Sequence, residues 1–138
     1  MRIAFAFCLM ITLPMLAGAA QAGGPSTGPA TGTGDAEAGE RVFRKCGACH
    51  TATAPENRVG PSLQGVVDRP VAHVENYTYS DAMRAFGSDG KVWDEARLST
   101  YLVAPRAMVP GTRMSFAGLK SDKDIADVIA YLKGTAAQ

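Results

Sequence analysis

The chain has 138 residues, 46% of them apolar, and a formal charge of +1 at neutral pH. That length holds a single domain, and the composition excludes collagen-like, fully disordered and multi-span membrane chains. A charge so near zero gives no reason to expect a nucleic-acid partner, so any electrostatic recognition depends on where the charges lie.

Residues 1–22 have the form of a secretory signal peptide. Arg2 is the positive start, Ile3 to Leu16 an apolar run broken only by Thr12 and Pro14, and Ala20-Gln21-Ala22 an A-x-A cleavage site, with Gly18-Ala19-Ala20 as a second one. The stretch is also just long enough to cross a bilayer, so an uncleaved anchor is the competing reading; Pro14 and the small-residue end favour cleavage. The expected product is a soluble periplasmic chain without a membrane anchor. Cys8 leaves with the signal, and the mature chain keeps Cys46 and Cys49 alone. Residues 23–34, rich in Gly, Pro and Thr and free of charge, read as a flexible leader. The folded domain is expected over 35–134, with 135–138 as a tail.

Four helical segments follow. The first runs from Asp35, a suitable N-cap, to about Lys45, with Gly39, Val42, Phe43 and Cys46 on one face. A short helix starts after Ser80 and ends near Gly87. A third begins near Asp94, carries Leu98, Tyr101 and Leu102, and stops before Pro105. The last spans Ser121 to Lys133: Ser121 and Asp124 form a capping pair, Ile125, Val128, Ile129 and Leu132 an apolar stripe, and Gly134 the stop. No segment reads as a strand. An all-α domain of this size with so much loop has a thin core, which a large apolar prosthetic group would fill.

Cys46-Gly47-Ala48-Cys49-His50 is a C-x-x-C-H sequence, the signature of covalent haem attachment. Two thiols at this spacing can add to the two vinyl groups on one side of a porphyrin, and the next residue then offers an imidazole to the iron. A thioredoxin-like redox pair would want a βαβ context, which is missing. A zinc site would want four ligands, and the one other histidine is His73. The second axial ligand must come from Met83, Met108, Met114 or His73. Met114 stands out because Pro110-Gly111-Thr112-Arg113-Met114 is a stiff loop able to present a thioether, and a neutral sulfur ligand raises the reduction potential. His73 lies in a variable loop and reads as a solvated surface residue.

These residues, with Gly60-Pro61-Ser62-Leu63, Asn76 to Asp81, Trp93, Tyr101-Leu102, Pro105 and Asp127 to Leu132, occur in an order that resembles class I cytochrome c, especially the bacterial periplasmic relatives of the mitochondrial protein. The resemblance covers Asp35 to about Lys133. It implies an all-α, single-domain class I cytochrome c fold, with four to five short helices wrapped around one covalently bound haem c. It implies thioether bonds from Cys46 and Cys49, axial ligation by His50 and Met114, and a Pro61 carbonyl accepting the other His50 ring N–H. It places Arg69, Tyr79 and Trp93 at the haem propionates and Tyr101 and Thr112 on the methionine side, and it crosses Gly39 and Phe43 over Val128 and Tyr131. Two departures stand out. Ser62 replaces the family's Asn, and the stretch from Asp81 to Trp93 is a few residues longer, so nothing is carried over to Met83 through Lys91.

The function so implied is that of a soluble, monomeric, non-enzymatic electron carrier. It would move one electron between membrane complexes, such as a cytochrome bc-type complex and a terminal oxidase or reaction centre. Alternatives are a dedicated acceptor for a periplasmic dehydrogenase and, if the sixth iron position were open, a haem enzyme or gas sensor. Lys45, Arg106, Arg113 and Lys120, joined by Arg58, are the expected cations for transient docking to acidic partners.

Overall fold

The computed structural model describes residues 34–136. The expected signal peptide, the expected leader up to residue 33 and residues 137–138 of the tail lie outside the described residues.

Five helices make up the regular structure, and among the described residues there is no strand. Helix α1 (Ala36–Phe43) opens on Asp35, whose carboxylate accepts the N–H groups of Glu37 and Ala38 at 2.9 and 3.1 Å. It ends two residues earlier than the pattern predicts. From Phe43 onward the chain tightens: Lys45 and Cys46 donate to the carbonyls three residues back, at 3.1 and 2.7 Å, and Cys49 does the same to Cys46 at 3.0 Å. Three residues per turn bring positions i and i+3 to the same side, which is how Cys46 and Cys49 come to share one face.

Helices α2 (Asp81–Gly87), α3 (Glu95–Val103) and α5 (Asp122–Lys133) start where expected, each capped by the side chain before it: Ser80 on Met83 N–H, Asp94 on Arg97 N–H, Ser121 on Asp124 N–H. Helix α4 (Pro105–Met108) brings the count to five, the upper end of the expected four to five, and was not among the segments read from the sequence pattern. Pro105 does end α3, but its fixed φ and missing N–H also suit the first position of a new helical turn. The one isolated bridge, Pro70 with Val92, belongs to a short antiparallel contact in which Val71 donates to Lys91 at 2.9 Å and Trp93 to Arg69 at 2.9 Å. It holds the residue 68–71 loop beside Trp93.

The core lies between α1, α3 and α5 and runs on to Val66, Val71, Met83, Trp93, Val109 and Leu119. Val128 is 1% exposed at its centre. The first and last helices meet at Gly39, where an added Cβ would stand 1.9 Å from the Asp127 carbonyl oxygen and 2.8 Å from Tyr131 Cβ. The predicted crossing is present at Tyr131, whose ring lies 5.4 Å from that of Phe43, while the backbone touching Gly39 is that of Asp127 rather than Val128. Asp127 is only 4% exposed; it accepts the Asp35 N–H at 2.9 Å and the Lys123 ammonium at 2.6 Å. Burial pushes its carboxyl up, but Lys123 and the Asp35 N–H more than offset this and hold it below its ordinary value.

Candidate functional site

The C-x-x-C-H turn ends in His50, and the loop after it is built around that ring. Nδ1 of His50 lies 2.7 Å from the Pro61 carbonyl, the contact expected from the sequence. Gly60 lies flat against the imidazole: a Cβ there would stand 2.2 Å from Cε1. Gly60 and Pro61 therefore hold the ring plane from one edge, with Nε2 left to coordinate. Burial lowers the basicity of His50, and the Pro61 bond only partly opposes this, which favours the neutral ring that a metal requires.

The loop itself is stiffened from within. Gly60 donates to Cys49 at 2.8 Å and Leu63 to Thr51 at 2.8 Å. Thr51 Oγ1 is shared between the carbonyls of Ala54 and Glu56, at 2.9 and 2.7 Å. Ser62, buried, donates to the Ala54 carbonyl at 2.6 Å, and its own N–H goes to the side chain of Asn57 at 3.0 Å. Asn57 thus supplies a side-chain acceptor to this turn from five residues upstream.

Cys46 and Cys49 are both free thiols and half-buried. Burial raises the Cys46 thiol, Lys45 lowers it in part, and Cys49 adds to the rise. No disulfide joins the two, so both sulfurs are available for thioether bonds.

Opposite elements carry the remaining residues. Arg69 is half-buried and donates to the carbonyls of Gln64 and Ser62 at 2.9 and 2.8 Å, with no carboxylate at ion-pair distance among the described residues. Burial lowers its guanidinium from the ordinary value, partly opposed by Tyr79. A half-buried cation lacking an anion fits a ligand that brings carboxylates of its own. The Tyr79 hydroxyl accepts the Val74 N–H at 3.3 Å, and Trp93 packs between Phe86 and Tyr101, at ring distances of 5.9 and 4.8 Å. Tyr101 in turn directs its hydroxyl to Met114 Sδ at 3.5 Å. Thr112 Oγ1 accepts the Met114 N–H at 3.3 Å and acts on the Tyr101 phenol, which burial raises. Met83 is buried in α2, Met108 is half-buried in α4, and His73 is exposed as expected. Of the three methionines, Met114 alone has its sulfur held by a hydroxyl.

Sequence reasoning missed the roles of Gly60, Asn57 and Asp127. Gly60 was legible in principle, because a glycine directly before a proline that must reach the histidine ring marks a close approach. Among the five expected docking cations, Lys45 pairs with Asp124 at 3.2 Å and Arg58 with Glu56 at 3.8 Å. Arg106, Arg113 and Lys120 have no carboxylate at ion-pair distance among the described residues, and the sequence holds no acid between Glu95 and Asp122.

The Cytochrome c family model matches residues 36–136. The chain is 52% identical over 105 residues to the cytochrome c-type cyt cy of Rhodobacter capsulatus; the match covers 75% of this chain and 51% of that protein, so the chain spans about half the length of this relative. It is 45% identical over 100 residues to cytochrome c2 of Rhodoblastus acidophilus, covering 72% of this chain and 91% of the relative. Among solved structures, cytochrome cH from Methylobacterium extorquens superposes with a TM-score of 0.67 at 43% identity, covering 73% of this chain and 99% of that one.

Proposed function

The chain belongs to the cytochrome c family, and from that premise we propose that it is a periplasmic carrier of single electrons between membrane redox complexes, with His50 and Met114 as the axial ligands of its haem. Its cofactor is one covalently attached haem c, and Cys46 to His50 is the attachment sequence. When bound, the haem supplies an iron that takes up and gives back one electron. The rest is the work of this chain's residues. Cys46 and Cys49 provide the thioether sulfurs. His50 is oriented by Pro61 and Gly60, and Met114 by Tyr101 and Thr112. Arg69, Tyr79 and Trp93 offer a cation and two polar rings to the propionates.

The observation that carries the proposal is the hydrogen bond from Tyr101 to Met114 Sδ, set against the Pro61 bond to His50. Two preset ligands of different softness would close the iron to small molecules and would keep its coordination the same in both oxidation states, which is what a carrier needs and an oxygen-using enzyme avoids. The test is an absorption spectrum of the mature holoprotein, ferric and ferrous, with and without CO. A low-spin spectrum with the weak far-red methionine-to-iron band, unmoved by CO, is expected. A CO-sensitive spectrum would replace the carrier with a haem enzyme or sensor.

Docking follows from the unpaired cations. Arg106, Arg113 and Lys120 support a weak, transient contact with an acidic partner, while Lys45 and Arg58 contribute less because each already has a carboxylate. Electron transfer to such a partner should slow as salt rises, because exposed charges are screened beyond about 8–10 Å. Export is supported by the form of residues 1–22, and among the described residues no helix is long and apolar enough to cross a membrane. Deleting the gene and finding which substrate no longer supports respiration would separate a carrier between membrane complexes from a dedicated acceptor for one dehydrogenase.

A further inference from the structure

The segment that carries Met114 is loosely tied by its own backbone. Thr112 donates to Val109 at 3.1 Å and Leu119 to Leu102 at 2.8 Å, but residues 113–118 make no backbone–backbone hydrogen bond among the described residues. Something else must fix the loop over the cleft.

Two guanidinium groups converge on one carbonyl beside it. Arg113, next to Met114, donates to the Tyr79 carbonyl at 2.9 Å across 34 residues of sequence. Arg84 of α2 donates to the same oxygen and is paired with Asp81, which offsets the repulsion between the two cations. The helix behind this carbonyl is a firm platform. Met83 is buried, Phe86 packs on Trp93 at 5.9 Å, and a Cβ on Gly87 would stand 2.8 Å from the Val71 carbonyl oxygen. A second contact lies alongside: Gly111, at φ +89°, comes so close to α2 that a Cβ on it would be 3.3 Å from Ala82 Cβ.

We propose that Arg113 and Arg84, meeting at the Tyr79 carbonyl, are positioning residues that clamp the methionine loop onto α2 and so hold Met114 in place. The proposal rests on the reading of Met114 as an axial ligand. The clamp exists only in the closed arrangement of the loop. Removing it raises the population in which Met114 is displaced, and an external ligand for the iron then binds more tightly by the same factor.

The test uses the mature ferric holoprotein titrated with imidazole, followed by loss of the far-red methionine band, beside a denaturant unfolding curve read by far-UV circular dichroism. Arg113→Gln should tighten imidazole binding about fivefold, the worth of one exposed charge-assisted hydrogen bond. Arg113→Lys should recover part of that, and Arg84→Gln, which does not alter the methionine loop at all, should tighten binding in the same direction. Without imidazole the unfolding equilibrium should shift by the same factor, and at saturating imidazole, where the loop is already displaced, each variant should unfold with the wild-type midpoint. Imidazole affinity equal to wild type in Arg113→Gln and Arg84→Gln would overturn the clamp, as would a loss of stability that persists in full at saturating imidazole. A wild-type protein with no far-red band fails in a different way, because it removes Met114 itself as the ligand.

Discussion

The two sides of the haem cleft are built on opposite plans. On the histidine side, residues 46–64 lock themselves with short-range bonds: Gly60 to Cys49, Leu63 to Thr51, Ser62 to Ala54 and to Asn57, and Pro61 to the ring. On the methionine side, residues 113–118 contribute no backbone pairing, and side chains from α2, α3 and α4 hold them: Arg113 and Arg84 at Tyr79, Tyr101 at the sulfur, and Arg106 at the Met114 carbonyl at 3.4 Å. On the proposed ligation, His50 follows directly on two covalent haem anchors, Cys46 and Cys49, and such a ligand belongs on the first kind of frame. Met114, which on the same proposal would be tied to the haem by its dative bond alone, sits on the second kind, whose stiffness is set by long-range contacts and is open to adjustment one side chain at a time. The difference teaches that rigidity at one metal can be local on one face and tertiary on the other.

The comparison breaks most sharply at Gly60. Gly60→Ala drives a methyl group into the imidazole, and because the surrounding loop is cross-tied it has no easy route of escape. The expected cost is about 3 kcal/mol or more of stability, with loss of His50 ligation, measured by haem retention and denaturant unfolding. A folded, low-spin Gly60→Ala protein would show that the histidine frame is softer than its hydrogen bonds imply. Next in size is Asp127, which lies in neither half and should move both together. Its carboxyl is held below the ordinary value, so its contribution is complete above about pH 4, the unfolded range, and disappears as pH falls through the lower folded value. Asp127→Asn should cost about 1–2 kcal/mol near neutrality, Lys123 being largely solvent-screened, and should flatten the acid side of the stability profile measured by unfolding between pH 3 and 7. The smallest effect sharpens the histidine side. Ser62→Ala strips one hydroxyl from a turn that keeps its Asn57 bond, so about 1 kcal/mol should be lost with the far-red band unchanged. If that band weakened, the two sides would not be independent.

Much of this was legible from residue order, and the misses share one cause. The caps at Asp35, Ser80, Asp94 and Ser121 are local events within three residues of sequence; local reading named those at Asp35 and Ser121 and placed the helix starts at the other two. The Pro61 bond to His50 and the nearness of Tyr101 to Met114 were reachable through the resemblance, because its landmarks fall on matching positions. The early end of α1 was not, since a helical stripe through Cys46 looks the same whether the last turn is wide or tight. Pro105 gave an ambiguous signal, being both a stop and a start. Asp127 was hidden because a charged residue on an amphipathic helix reads as solvent-facing, and its burial is created by Asp35 from the far end of the chain. The Asn57 contact to Ser62 was hidden for a similar reason: a side chain that bonds a backbone N–H five residues on leaves no periodic trace. Arg84 and Arg113 meet at a carbonyl, an acceptor that no side-chain pattern records.

The bond between Asp35 and Asp127 spans 92 positions. Closing a flexible loop of that size costs roughly 4 kcal/mol in chain entropy, a cost that must be met before the α1–α5 contact returns anything. The domain therefore cannot seal until its last helix is in hand, and a chain emerging from its amino end passes through an open stage in which Cys46 and Cys49 are still reachable. Topology thus sets a schedule: the cysteines come first, the fold closes last, and the interval between is the time in which a cofactor can be fitted.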